Sequence, residues 1–265
     1  MLCGSLSAAS LQLYTPAVGA LPEGGGSPSF AYFAGPGAGT VETAPTVSTA
    51  YTVLNTGADS SLHAGYFNRQ LAINFANPSV ITPGAFVNAG FPLLDPTLGF
   101  TLHFSTEIFA EAHSSVDRAG FSVILLGNDG KGIELGFQNN TIFAQNQTPL
   151  FTAGESATGA GIAALLQALT PYDLTISGGS YSLSTGGTDL LSGATRNYSA
   201  ASGFGTDVYR STNFVFLGDD TSSASATTYL GPVSIDTAPE PAAFLLCLPV
   251  LAVLTKLSGG RRRVA

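Results

Sequence analysis

The chain has 265 residues, of which 45% are hydrophobic, with 32 glycines and 15 prolines, a composition typical of one domain built from many short strands and turns. Five basic residues stand against sixteen acidic ones within residues 1–238. The resulting charge of −11 argues against nucleic acid or another polyanion as a partner. Both cysteines, Cys3 and Cys247, lie near the ends, so the body needs no disulfide and offers no thiolate metal site.

The first ten residues, MLCGSLSAAS, make a poor signal peptide, because they lack a positively charged start and serines interrupt their apolar stretch. We interpret residues 1–10 as the remnant of a signal peptide or as the product of a mis-assigned start. Residues 11–235 are predicted to form one β-sandwich domain. Within it, the Gly-, Pro- and Ser-rich residues 22–40 predict irregular structure.

Residues 101–111 alternate between apolar and polar side chains, which predicts a strand with one buried and one solvated face. The residues predicted to face the core are Leu102, Phe104, Thr106, Ile108 and Ala110, and those predicted to face solvent are His103, Ser105, Glu107 and Glu111.

A hairpin is predicted next, with strands at residues 121–126 and 133–137 around the turn Asn128-Asp129-Gly130. Glu134 is expected on the face opposite the core. The second strand directs three side chains into the core, namely Ile133, Leu135 and Phe137.

Further strands are predicted at residues 141–145, 172–177, 181–184, 214–218 and 228–235, and only residues 162–169 (IAALLQAL) show a helical pattern. Many short strands, each with one apolar face, favour two packed antiparallel sheets. The sequence therefore predicts an all-β sandwich.

Three stretches of the predicted domain resemble a family of extracellular proteins. They are DRAGF at residues 117–121, GIELGF at 132–137 and GDDT at 218–221. They are similar to "choice-of-anchor" domains, which share a body and differ in their C-terminal anchoring signal, and the likeness covers residues 11–235. The resemblance implies a concanavalin A-like jelly-roll sandwich and a surface location, with no established activity.

Carboxylates are the natural candidates for catalysis, because retaining glycosidases hold two carboxyl groups about 5 Å apart. Glu107 and Glu111 share a predicted strand face, but four residues of strand separate their backbones by about 13 Å. Glu134 stands alone at a position predicted to face solvent. We therefore predict no catalytic residue and keep a glycan-cleaving enzyme on the same sandwich as the alternative.

Asp219 and Asp220 supply adjacent hard oxygens directly after a predicted strand. Together with Asp117 or Glu134 they are candidate calcium ligands. The competing interpretation is a turn in which aspartate accepts hydrogen bonds from its own backbone.

His113 and Arg118 complete the candidate ligand or loop site together with Asp117 and Glu134. His113 is either a ligand or a hydrogen-bonded loop histidine. Arg118 is expected to form an ion pair with Asp117 that holds the loop preceding Phe121.

After a linker at residues 236–238, the chain ends with three features in a fixed order. Pro239, Glu240 and Pro241 are followed by an uncharged apolar stretch and then by a basic cluster of Arg261, Arg262 and Arg263. The stretch is shorter than the roughly 20 residues of a comfortable span, but tilt and snorkelling permit insertion with the arginines on the cytoplasmic side. We predict a linker and hydrophobic sorting helix over residues 236–265, held in the inner membrane.

This order of features resembles the PEP-CTERM sorting signal, the substrate of exosortase in Gram-negative bacteria that make extracellular polysaccharide. The resemblance implies exosortase as a partner, cleavage near residues 239–241, and release or attachment of the body outside the cell. We therefore expect an exported, non-enzymatic protein of the cell surface or extracellular matrix, with a lectin-like sandwich that binds polysaccharide. A purely structural coat protein is a further alternative.

Overall fold

The computed structural model describes residues 9–16, 30–34, 48–56, 64–69, 87–200, 207–221 and 223–238. The predicted sorting segment lies outside the described residues, including Pro239, Glu240, Pro241 and the cluster Arg261, Arg262 and Arg263. Within the ranges given above, no helix combines the length and apolarity needed to cross a bilayer.

The described chain consists mainly of β-strands. In chain order they are β1 (Ala9–Tyr14), β2 (Ala31–Ala34), β3 (Thr52–Thr56), β4 (Ala64–Asn68), β5 (Phe100–His113), β6 (Phe121–Leu126), β7 (Lys131–Phe137), β8 (Thr141–Gln147), β9 (Leu150–Thr158), β10 (Thr170–Ser177), β11 (Ser180–Thr185), β12 (Thr188–Ala194), β13 (Arg196–Asn197), β14 (Phe214–Asp219) and β15 (Ala224–Thr237). A short helix, α1 (Ala160–Leu166), lies between β9 and β10, and two 3-10 turns occupy Tyr198–Ala200 and Asp207–Arg210.

The strands form two antiparallel sheets. The seven-stranded sheet has the order β1-β15-β5-β10-β11-β12, with β3 also paired to β15. The eight-stranded sheet has the order β2-β4-β14-β6-β7-β8-β9, with β13 also paired to β7. One continuous core contains side chains from both sheets, which confirms the predicted all-β sandwich of two antiparallel sheets.

The alternation predicted for residues 101–111 holds through the first part of β5. Its core-facing residues Leu102, Phe104, Thr106 and Ile108 are buried. The prediction for Ala110 is wrong, because the pairing with β15 passes from Ile108 directly to Ala110 and leaves Phe109 as an extra residue. Such a bulge breaks the period of two, and Ala110 is consequently exposed.

The predicted hairpin is present as β6 and β7, which pair from Phe121 opposite Phe137 to Leu126 opposite Gly132. Gly130 in the connecting turn has a φ of 75°, a conformation that glycine adopts without steric cost. Ile133, Leu135 and Phe137 lie in the core between the sheets, as predicted.

The outer face of the eight-stranded sheet is also covered, which the sequence did not indicate. Two 3-10 turns bring Tyr198, Val208 and Tyr209 onto this face. They form a second apolar cluster with side chains of β6 and β14, namely Ile124, Leu126, Phe214 and Phe216. Strands β6, β7 and β14 are therefore buried on both faces over most of their length.

The remaining predicted elements are also found. The strands predicted at residues 141–145, 172–177, 181–184, 214–218 and 228–235 correspond to β8, β10, β11, β14 and β15, and the predicted helix corresponds to α1. Seven of the described strands were not predicted: β1, β2, β3, β4, β9, β12 and β13. Of these, β2 falls inside the stretch predicted to be irregular, and β1 begins at Ala9, where it pairs with Thr237 at the end of β15.

Candidate functional site

The predicted site residues Glu134 and Asp220 meet beneath the outer covering of the eight-stranded sheet. Glu134 is only 3% exposed and Asp220 only 1%. The expectation that Glu134 faces solvent is therefore wrong, because the turn carrying Tyr209 covers its side of β7. Glu134 does lie on the face opposite the core residues of its strand, as the alternation predicted.

One phenol joins the two carboxyl groups. The Tyr209 hydroxyl lies within hydrogen-bonding distance of Glu134 Oε2 and 2.9 Å from Asp220 Oδ2. The Ser122 hydroxyl donates to the other oxygen of Glu134 over 3.1 Å. The strands β6, β7 and β14 are neighbours in the sheet, so the fold brings these groups together from distant parts of the sequence.

The geometry requires a proton on one of the two acids. A tyrosine hydroxyl has one proton to donate, yet it contacts two carboxyl oxygens, so one contact needs a carboxyl proton. Burial raises the pKa of Glu134 well above its ordinary value, and the charge of Asp220 raises it further. Burial and the two acids likewise raise the pKa of Tyr209. The cluster therefore favours the protonated form of Glu134 and the neutral form of Tyr209.

A second tyrosine fills a gap in the sheet beside this cluster. Strand β7 pairs with β13 through Gly132 and with β8 from Leu135 onward. Between these two regions the Tyr198 hydroxyl accepts from Glu134 N at 3.2 Å and donates to Gln145 O at 2.8 Å. The Tyr198 and Tyr209 rings stack with centroids 4.7 Å apart.

Asp219 caps the turn after β14. Its Oδ1 accepts from Thr221 N over 2.8 Å, the hydrogen bond that the turn interpretation predicted. Its neighbour Asp220, directly after the end of β14, contacts the Tyr209 hydroxyl instead. In the part of the chain that the structure describes, no group of three or more His, Cys, Asp or Glu side chains is arranged to hold a metal ion.

Asp117 and Arg118 hold the loop before β6 against β9, and their two side chains do not pair with each other. Asp117 Oδ1 accepts from Ala153 N at 2.8 Å. The Arg118 guanidinium donates to the carbonyl oxygens of Asp117 and Phe151 and lies 4.7 Å from the centre of the Phe151 ring. The predicted ion pair between the two side chains is replaced by these backbone contacts, because the strand edge presents its carbonyl groups to the guanidinium.

His113 is a hydrogen-bonded histidine at the end of β5. Its Nδ1 lies 2.9 Å from the Glu111 carboxylate. The Glu111 side chain is inaccessible to solvent, and burial raises the pKa of Glu111 although the hydrogen bond with His113 opposes the shift. Glu107 remains half-exposed on the other side of the bulge, so the predicted common face of Glu107 and Glu111 is wrong.

A stack of three aromatic rings lies on the outward face of the seven-stranded sheet. Tyr51 and Tyr229 stack at 4.4 Å with an angle of 7°, and Tyr229 stacks on Phe109 at 5.3 Å with an angle of 18°. Phe109 is 63% exposed. We call Tyr51, Tyr229 and Phe109 the aromatic stack. The sequence carried one signal for it, an aromatic residue at position 109 among the polar positions of an alternating strand.

Three polar side chains cross the same face further along. His103 Nδ1 lies 2.7 Å from Asp173 Oδ1, and its Nε2 lies 3.2 Å from Asp236 Oδ2. The three residues belong to the adjacent strands β10, β5 and β15. All three side chains are partly exposed, so this face is polar beyond the aromatic stack.

No protein-family model matches the chain, and no curated protein matches it. Among solved structures it is similar to the family 7 alginate lyase A1-II' in complex with substrate, with 13% identity, a TM-score of 0.36, and coverage of 72% of this chain and 79% of the lyase. It is also similar to the exoplasmic/lumenal domain of VIP36 in its Ca²⁺/Man2-bound form, with 11% identity, a TM-score of 0.41, and coverage of 88% and 90%.

A third similar structure is that of botulinum neurotoxin type C, with 9% identity and a TM-score of 0.40, where the match covers 85% of this chain and 47% of the toxin chain. At these values the likeness is loose and gives no residue-by-residue correspondence.

Proposed function

We propose that this chain is an exported, exosortase-sorted protein of the cell surface or extracellular matrix, and that its sandwich binds polysaccharide without cleaving it. Export, sorting and the inner membrane as a temporary location are supported by the order of Pro239-Glu240-Pro241, the apolar stretch and Arg261-Arg262-Arg263. The jelly-roll, concanavalin A-like form of the sandwich belongs to this proposal as well.

The observation that carries polysaccharide binding is the aromatic stack on an exposed, polar sheet face. Phe109 is 63% exposed and is continuous with the rings of Tyr229 and Tyr51, and contiguous exposed apolar surface rimmed by polar residues is typical of ligand-binding sites. Sugars combine an apolar C–H face with many hydroxyl groups. The outward face offers both complements, aromatic carbon from the stack and polar groups from Glu107, Asn55 and Thr227 beside it.

The test is affinity electrophoresis of the full chain in native gels that contain soluble polysaccharide, with a gel lacking polysaccharide as reference. The probes are hydroxyethyl cellulose, galactomannan, alginate and chitosan, each with calcium and with chelator. Retardation by at least one of them is expected. Unchanged mobility in every gel would reject polysaccharide binding and favour the structural coat protein.

One observation favours a glycan-cleaving enzyme as the second candidate. Glu134 and Asp220 share one hydroxyl, so their oxygens lie within about 6 Å, close to the spacing of carboxyl groups in retaining glycosidases. Their burial speaks against it, because a substrate cannot reach acids that are 3% and 1% exposed. Release of reducing ends from these polysaccharides by the wild-type chain, lost in Glu134→Gln, would establish the enzyme instead.

A further inference from the structure

We infer that the exposed surface of the Phe109 ring, with Glu107 and the Tyr229 hydroxyl beside it, is a subsite for an uncharged pyranose unit of a polysaccharide chain. This inference rests on the proposed function and deepens it, since it names the residues and the class of sugar.

The geometry of the aromatic stack leaves Phe109 as its most accessible ring. Tyr229 is covered on both sides, by Tyr51 at 4.4 Å and by Phe109 at 5.3 Å. Tyr51 is only partly exposed, whereas Phe109 is 63% exposed. A ligand that packs on aromatic carbon therefore finds the largest accessible surface of the aromatic stack on Phe109.

The bulge in β5 places Phe109 in this position. The pairing with β15 passes from Ile108, opposite Thr228, to Ala110, opposite Thr227, and omits Phe109. Bulges redirect a side chain that would otherwise follow the regular alternation. Here the bulge presents both Phe109 and Ala110 on the exposed side. A small alanine next to the ring leaves room for a flat ligand.

Polar groups border the ring on the side of Tyr229. Glu107 is paired directly opposite Tyr229 in the register of β5 and β15. Partial burial raises the pKa of the Tyr229 hydroxyl, as do Tyr51 and Glu107, so this hydroxyl keeps its proton. The rim thus offers a carboxylate that accepts hydrogen bonds and a phenol that donates one. Sugar hydroxyl groups can serve both.

Charge selects the class of sugar. The carboxylate of Glu107 and the charge of −11 on residues 1–238 repel uronate and sulfate groups. An uncharged pyranose places its C–H face on Phe109 and donates a hydroxyl proton to Glu107 with no such repulsion. The subsite therefore fits a neutral polysaccharide and disfavours alginate.

The experiment compares four variants of the full chain by affinity electrophoresis in hydroxyethyl cellulose and in galactomannan. Phe109→Ala is expected to weaken binding by about tenfold or more, Phe109→Trp to preserve it, and Glu107→Gln to weaken it while lessening the exclusion of alginate. Leu93→Ala is the matched control, because Leu93 is a similarly exposed apolar residue, at 58%, away from the stack, and it should bind as wild type does.

The outcomes separate this inference from the proposed function. If wild type binds a neutral polymer and a natively folded Phe109→Ala binds equally well, the subsite is wrong while polysaccharide binding stands. Binding to alginate or chitosan alone overturns the neutral subsite in the same way. Sedimentation of wild type and Phe109→Ala tests whether a second copy of the chain covers the ring. A wild-type dimer that the substitution converts to a monomer would assign the ring to a dimer interface and overturn the sugar subsite.

Discussion

Glu134 and Asp220, which are 86 positions apart in the sequence, converge on the single hydroxyl of Tyr209. Two acids held so closely in a buried site cannot both be ionised at low cost. The stability of the domain should therefore respond to pH through this pair.

We expect the free energy of unfolding to fall as the pH rises above the ordinary pKa of a glutamate. The folded state holds the Glu134 proton because burial and Asp220 raise the pKa of Glu134, whereas the unfolded chain releases it near the usual value of 4.5. The unfolded state thus binds fewer protons over this window, and stability declines with pH. Urea unfolding between pH 5 and pH 9 measures the slope, which Glu134→Gln should flatten.

Glu155 provides a control, because its pKa is shifted in the opposite direction to that of Glu134. Burial alone would raise the pKa of Glu155, but its backbone hydrogen bond and Arg196 outweigh this effect and lower the pKa. The ionised Glu155 side chain therefore stabilises the folded state above the unfolded pKa, and this stabilisation is lost as the pH falls. Glu155→Gln should leave the slope of stability against pH between pH 5 and pH 9 unchanged. A Glu134→Gln variant with the wild-type slope would contradict the shared-proton cluster.

Leu135 tests the packing between the sheets. It is fully buried in the core on β7, and Leu135→Ala should cost about 2 to 5 kcal/mol through lost contacts and a residual cavity. The exposed Leu93→Ala should stay within about 0.5 kcal/mol of wild type. Denaturant unfolding monitored by tyrosine fluorescence compares the two, and a loss below 0.5 kcal/mol for Leu135→Ala would show that the strand register differs.

The turn-cap and calcium-ligand interpretations of Asp219 predict different effects of calcium on the melting temperature. Because Asp219 Oδ1 already accepts from Thr221 N, we expect calcium and chelator to leave the melting temperature unchanged. Asp219→Ala should cost about 1 to 3 kcal/mol through the unsatisfied buried N–H, and Asp219→Asn, which retains an acceptor oxygen, should cost less. A melting temperature that rises with calcium, and no longer does so in the double Asp219→Asn, Asp220→Asn variant, would establish the metal site.

Sorting is tested by the mass of the protein recovered from the producing cells. Cleavage near Pro239-Glu240-Pro241 should remove Cys247 and the three terminal arginines from the mature form. Replacing residues 239–241 by alanines should retain the full-length chain in the membrane fraction. Full-length wild-type chain outside the membrane would argue against exosortase processing.

The strands with regular alternation were predictable, and those in β5, β6 and β7 were placed nearly correctly. The period of two identifies which side chains share a face, but it does not reveal what covers each face. Glu134 shows this: its side of β7 was assigned correctly, yet its burial depends on a turn around Tyr209, whose docking involves contacts distant in sequence. The bulge at Phe109 was equally hidden, because it arises from the pairing with β15.

The candidate sites were predictable only where neighbours in sequence form them. Asp219 caps a residue two positions away, and that interaction follows from local turn chemistry. The aromatic stack and the carboxyl pair join residues from separate strands, so their composition depends on strand order. Only the anomalous position of Phe109 among polar neighbours indicated a surface of interest.

Under the proposed function, β15 would connect the bound polysaccharide mechanically to the sorting segment. Tyr229 of the aromatic stack and Thr237 near the predicted sorting segment lie on this one strand, roughly 25 Å apart at strand rise. β15 is flanked by β1 and β3 on one side and β5 on the other. Because antiparallel hydrogen bonds run perpendicular to the strands, tension along β15 loads these ladders together in shear. A polysaccharide pulling at one end would thus be resisted by many hydrogen bonds at once before the domain could unravel.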